Sequence, residues 1–423
     1  MQLLPSGHAV VGFLESEWIT GEITNSWEAL ALEWKTNEAI LLQIRDALKK
    51  PVLNSELDYS QGYNLLITNL SSCKKLVICF GAGCQLALYE GKNREALDRL
   101  LSQIRLPHLV ESDRLAISEL VRFALASIIK NTTWEALQAE GWNDEDLRKM
   151  QEAWETHEFI HSAGVGFQGE LVYEDASYTL MRNSNDDTFK VLFEWRNIFN
   201  DDEWEPPIWE KLVSDLPYGD DIVNFLQKQI FCRVWRFAWS HQHQLRSAKQ
   251  IYRLMEITRA VEKEKSFSTV QEALEQFTQE MGRRNFYEAL RFPESSSNLM
   301  LAKVINKAAR AQTERSMALC AIALQRYFAR NGKFPTALGI LVPEFFQIVP
   351  IDYFDGKPMK YFLNPDGSFT LYSVGEDGLN DHGNSSFASG KIGRSIWDRK
   401  DTLWPAPATP EELDDFHKTT LEK

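Results

Sequence analysis

At 423 residues the chain exceeds what one hydrophobic core usually holds, so about two or three domains are expected. Its 44% hydrophobic and 25% charged residues are those of a folded chain and exclude global disorder. Acidic residues outnumber basic ones 60 to 46, a formal charge of −14, and no basic stripe interleaved with aromatics stands out, so no nucleic acid partner is expected.

The opening stretch, MQLLPSGHAVVG, has neither the basic start nor the long apolar run of a secretory signal. An anchor removed upstream would leave no trace in it. From Ser26 to Lys50, Trp27, Leu30, Trp34, Leu41, Ile44 and Leu48 mostly recur every three or four residues before Pro51, which predicts an amphipathic helix. Leu65 to Glu90 and Asn93 to Leu106 read as a helical hairpin around Gly91. Helices are expected at Ser112 to Lys130, Thr133 to Glu140 and Asp144 to Ala163, with Gly141 as a turn and Asn143 as a cap. Leu86 to Leu97 resembles a tetratricopeptide hairpin, but no repeat of roughly 34 residues accompanies it, so solenoid-like stacking is one option for this body.

Residues 182 to 219 carry RNSNDD, NDDEWEPP and DLPYGDD, which read as loops around short elements. Asp220 to Lys263 is helical by pattern, with Phe231, Trp235 and Trp239 four apart on one face, the spacing of core packing. Further helices are expected at Thr269 to Gly282 and Asn298 to Asn331, around the FPESSS loop. No stretch supplies the roughly 20 apolar residues of a membrane span.

The pattern changes after Gly332. In KYFLNPDGSFTLYSV two aromatic and β-branched runs flank Asn364, Pro365, Asp366 and Gly367, which fit a type I turn position by position and predict a hairpin. The tail PAPATPEELDDFHK is expected to lie loosely on the surface. Cys73, Cys79, Cys84, Cys232 and Cys320 are odd in number and scattered, so neither a disulfide framework nor a zinc site is read from them.

One motif has a catalytic pattern. His157, Glu158 and His161 spell HEFIH; on a helix its imidazoles lie one turn apart and could hold zinc, with Glu158 as general base. The competing reading is two surface histidines at the end of an ordinary helix, since Glu155 and Phe167 depart from known zinc-peptidase patterns. His241 and His243, two apart, diverge on a helix and make a poor metal pair.

From Ala318 to Gly383 the ordered features resemble the globular part of the major pseudopilin of type II secretion. They are ALCAIALQRYFARNGKFPTALGILVP with its Gly332 to Pro335 turn, the loop Pro350, Ile351, Asp352, Tyr353, Phe354, then Gly356, Pro358 and Tyr361, and finally LYSVGEDGLNDHG. The helical remainder, including YSQGYNLL and ISELVRFAL, is similar to uncharacterised envelope-anchored proteins that end in this module. The resemblance implies a calcium site in the last loop, with Asp377 and Asp381 as carboxylate ligands and Leu371 and Ser373 as carbonyl donors. In that family a later acidic pair follows, where KIGRSIWDR offers only Asp398.

The expected fold is therefore mainly α: a helical domain at 1–181, a loop-rich and helical middle at 182–297, a pseudopilin-like α+β domain with an antiparallel sheet at 298–398, and a Pro-rich acidic tail at 399–423. The expected role is a non-enzymatic, extracytoplasmic envelope protein that contacts protein partners and holds calcium; the alternative is a zinc-dependent peptidase.

Overall fold

The structure, a computed structural model, describes residues 27–50, 57–194, 218–282, 286–292, 295–388 and 395–405. It is mainly helical, with a small antiparallel sheet near the C-terminal end. NDDEWEPP, part of the FPESSS loop and the tail beyond Pro405 lie outside the described residues.

Helices α1 (Trp27–Leu48), α2 (Asn69–Tyr89) and α3 (Asn93–Arg105) open the chain. Gly91, at φ +71°, closes the α2–α3 hairpin, and the Lys92 amide donates to the Ala87 carbonyl at 2.8 Å. Helix α4 (Ala116–Leu137) is continuous where the sequence pattern suggests two helices. Thr132 and Thr133 turn their hydroxyls back onto the Ile128 and Ile129 carbonyls at 3.4 and 2.8 Å, so the polar run stays helical. Asn143 caps α5 (Asp144–Glu155) by accepting from the Asp146 amide at 2.9 Å. Helix α6 (Phe159–Asn183) follows, and Ser184 caps the short α7 (Asn185–Phe189).

A long helical run covers residues 219–264: α8 (Gly219–Phe225), a π-helical turn (Leu226–Phe231), α9 (Cys232–Val234), a second π-helical turn (Trp235–Trp239) and α10 (Ser240–Glu264). Trp235 is fully buried with Tyr63, Tyr178, Met181 and Leu192, and Phe231 and Trp239 pack against them, so the expected aromatic stripe is a small core. Then come α11 (Gln271–Gly282), α12 (Phe286–Arg291) and α13 (Ser295–Asn331).

Helix α13 organises the molecule. Every side chain from Met317 to Leu324 is buried in one core with residues of α4, α5 and the C-terminal unit, while α6 packs on the earlier part of α13 at Ala302 to Ala311. The helices do not extend as an open stack; they close around α13. One continuous core runs from Leu41 through Trp154 and on to Met317, Leu371 and Trp404, so the helical body and the C-terminal unit share their apolar interior.

Beyond α13, β1 (Ile351–Asp352) pairs with β2 (Lys357–Pro358), and a second sheet has the order β3 (Lys360–Leu363), β4 (Phe369–Ser373), β5 (Thr402–Leu403). Pairing is antiparallel, with Tyr361 opposite Leu371 and Ser373 opposite Thr402. The hairpin turn forms as its residues predict: the Gly367 amide donates to the Asn364 carbonyl at 3.0 Å, and Gly367 takes φ +87°. Strand β5 arises from residues the sequence pattern places in the loose tail.

All five cysteines are free thiols, and all but the half-buried Cys79 are buried. Burial pushes the Cys73 thiol up to about 11 and that of Cys232 to about 12, so both stay protonated and unreactive. Among the described residues no helix is long and apolar enough to cross a membrane.

Glu170 and Glu174 lie one turn apart on α6, accepting from the Ala116 amide and the Ser247 hydroxyl, each at 2.8 Å. Burial raises both to about 7. The folded state thus holds protons that the unfolded chain releases near pH 4.5, so stability falls as pH rises from about 4.5 through 7. Glu170→Gln keeps an acceptor for Ala116 and has no charge to bury. It is expected to gain about 1–2 kcal/mol over the parent at pH 8 and almost nothing at pH 5, read from urea unfolding at both values. An equal difference at the two pH values would contradict this.

Candidate functional site

The HEFIH residues sit at a corner, and no single helix carries them. Helix α5 ends at Glu155 and α6 begins at Phe159. Side chains from α13 hold the break open: Arg315 donates to the Trp154 and Glu155 carbonyls at 3.1 and 2.8 Å, and Gln312 accepts from the Phe159 amide at 2.7 Å. These bonds satisfy backbone groups that a continuous helix would have paired internally.

The corner sends the three motif side chains apart. His157 is buried; its Nε2 is 2.8 Å from the Ile104 carbonyl, and its ring stacks between His108 and Phe159 at 4.3 and 5.4 Å. Burial, with the neighbouring His108 charge, lowers its pKa well below the usual histidine range, so it remains neutral in the core. Glu158 pairs with Arg315 at 3.1 Å. His161 is exposed, with Nδ1 3.0 Å from Glu262. A zinc grip would need both imidazoles on one helical face, and this geometry separates them, which corrects the expected arrangement. The bland reading also needs correction, because only His161 is a surface histidine. Among the described residues no group of three or more His, Cys, Asp and Glu side chains is placed to hold a metal.

Beside the corner lies a cleft of about 830 Å³ between α1, α3, α5 and α6. Arg45, Lys49, Arg105, Arg114 and Lys149 line it, alongside Asp98, Glu111 and Glu152. On its floor the buried Glu119 accepts from Arg122 at 2.9 and 3.1 Å and from the Ser162 hydroxyl at 2.8 Å. His108 bridges Glu111 at 2.6 Å and Thr156 at 2.9 Å. The hydrogen bond from His108 holds the Glu111 carboxyl below its ordinary range, whereas burial raises that of Glu119. Glu119 ties Arg122 of α4 to Ser162 of α6, and Arg122 also faces Glu111 at 3.6 Å, so among the described residues the carboxylates of this floor are already engaged and none stands free as a base.

The C-terminal loop is built on two carboxylates. Asp352, fully buried, accepts from the Val374 amide at 2.8 Å, the Ser373 hydroxyl at 2.9 Å and the Phe354 amide at 3.1 Å, with the Lys360 ammonium 3.4 Å away. Asp401 accepts from the Gly383, Asn384 and Asp381 amides at 2.7, 3.0 and 3.3 Å. Asp352 belongs to the Pro350 to Phe354 loop and Asp401 carries no local sequence signal, whereas Asp398 accepts from the Ser395 amide at 3.2 Å.

The four expected calcium ligands are not assembled as a set. The Leu371 carbonyl accepts from the Trp404 amide at 2.8 Å, Ser373 turns its hydroxyl onto Asp352, Asp377 caps Leu379 at 2.9 Å, and Lys400 stands 3.5 Å from Asp381. Calcium requires at least about six converging oxygens, and here amide or ammonium groups already engage the Leu371 carbonyl, Asp377 and Asp381. Millimolar calcium, or its chelation, is therefore expected to leave the melting temperature unchanged; a rise of several degrees would show that the loop rearranges to bind it.

The fold and these sites define a mainly helical protein with a small antiparallel sheet and two loop-closing carboxylates. Compared with known proteins, the chain matches no family model, no curated protein and no solved structure.

Proposed function

We propose that the chain is a non-enzymatic structural and interaction protein of the cell envelope, in which a helical body carries a pseudopilin-like C-terminal unit. The observation that supports this reading most directly is the burial of α13. The C-terminal unit keeps the order of helix, turn at Gly332 to Pro335, hairpin and Asp-Gly loop, yet its helix is buried from Met317 to Leu324. A helix enclosed in this way has no free face with which to enter a filament, so the unit acts as a fixed part of a larger body. Arg326 and Arg330 of α13 fasten it further through Asp144 at 2.8 and 2.6 Å. The motif residues His157, Glu158 and His161 give a peptidase reading no support, because they point to three different surroundings.

The test is fractionation of cells producing the full chain, followed by cross-linking in place. Recovery with the envelope, cross-linked to a protein partner, is expected. Recovery wholly in the cytosol would overturn the assignment.

A further inference from the structure

The helical run at residues 219–264 differs in charge from the rest of this acidic protein. Between Asp221 and Glu256 there is no acidic residue, while Lys228, Arg233, Arg236, Arg246, Lys249 and Arg253 all fall there. The outward face of the same stretch is apolar. Phe225, Ile230, Val234, Phe237, Leu245 and Tyr252 are exposed, Phe237 at 81%. From Ile230 the steps to Val234, Phe237 and, past His241, Leu245 are three or four residues, so these side chains share one side of the helix. The π-helical turn at Leu226–Phe231 bonds across five residues, which matches the five-residue step from Phe225 to Ile230 and keeps both on that side.

Acidic groups of neighbouring elements answer only part of this charge. Asp186 pairs with Lys228 at 2.5 Å, Glu288 with Arg246 at 3.9 Å and Glu280 with Arg253 at 2.5 Å. Glu174 and Asp175 face the run too, but they bond Ser247 and Gln244. Arg236 donates to the Arg182 carbonyl and to Asn185, both uncharged acceptors. Arg233 and Lys249 are exposed and contact no carboxylate among the described residues. Positive charge therefore flanks an apolar ridge.

We infer that this face is a docking surface for an anionic lipid bilayer, on which the helix lies flat. The ridge from Phe225 to Tyr252 spans about 40 Å at 1.5 Å per residue. Its side chains are exposed along the helix, which suits a bilayer interface, where an amphipathic helix sinks its apolar face about 5–10 Å while lysine and arginine meet the lipid phosphates. A second copy of the chain is the poorer occupant, because pairing two such helices would set cation against cation. The inference does not rest on the resemblance of the C-terminal unit. A chain found in the cytosol that still binds lipid would refute the envelope assignment alone.

The experiment floats the full chain with vesicles of phosphatidylglycerol and phosphatidylcholine, and with phosphatidylcholine alone. Binding to the anionic vesicles only, weakening as salt rises, is expected. Phe237→Glu should lower the bound fraction about tenfold or more, and Arg233→Glu with Lys249→Glu should abolish the preference for anionic lipid. These side chains are exposed, so the melting temperature should stay that of the parent. Failure of the parent to float with either vesicle overturns the inference, as does equal flotation of Phe237→Glu. So does a change in oligomeric mass on Phe237→Glu, measured by light scattering without lipid, since the ridge would then be a contact between protein copies.

Discussion

Asp352→Ala is expected to lower the unfolding free energy by about 3–5 kcal/mol, the range for removing one partner from a buried charged network. The carboxylate accepts from two amides and a hydroxyl and lies 3.4 Å from the Lys360 ammonium; alanine would strand those two amides and the hydroxyl at a fully buried place, while Lys360 keeps Asp355 at 2.7 Å. Because the C-terminal unit shares its core with the helical body, the loss should appear in the transition that unfolds these two parts together. Urea unfolding followed by tryptophan fluorescence measures it, and a loss under about 1 kcal/mol would mean that water replaces the carboxylate at little cost. Asp401→Ala should act in the same sense, because three amides of the loop meet on that side chain.

Gly169→Ala is expected to be as damaging, through sterics alone. Arg114 adopts the left-handed conformation at φ +48° and turns its carbonyl onto α6, so that a Cβ at position 169 would stand 1.7 Å from that oxygen. Both sides of the contact are backbone, and neither can rotate away. Separating α6 from the start of α4 would also disturb the Ser162 and Arg122 bonds to Glu119. A loss of about 3 kcal/mol or more is expected, at the upper end of overpacking. Gly164→Ala, on the same helix, meets only the Thr258 methyl at 3.6 Å and should cost almost nothing, so comparing the two melting temperatures isolates the clash. Equal melting temperatures would refute the account.

The two cases separate what is local in this chain from what is not. Periodicity is local, which is why α1, the α2–α3 hairpin and the aromatic face at Phe231, Trp235 and Trp239 can be read directly. Turn chemistry is local as well: Asn143 needs only the Asp146 amide, and Gly367 only its own positive φ. Asp401 and Gly169, by contrast, look ordinary until distant backbone arrives beside them. The HEFIH run shows how far that can mislead, for its spacing is a helical motif, yet Gln312 and Arg315 stabilise a corner there from a helix more than 150 residues later.

By itself the sequence determined the mainly helical class, the hairpin after Gly332 and the aromatic face at Phe231, Trp235 and Trp239, because each follows from interactions among residues within a few positions of one another. Tertiary structure alone decided that His157 is a neutral core residue, that α13 is enclosed on all sides between Met317 and Leu324, and that Asp352 and Asp401 close the last loop. The physical reason is that burial and hydrogen-bond satisfaction depend on what packs against a residue, and those partners come from chain segments that composition and spacing do not connect.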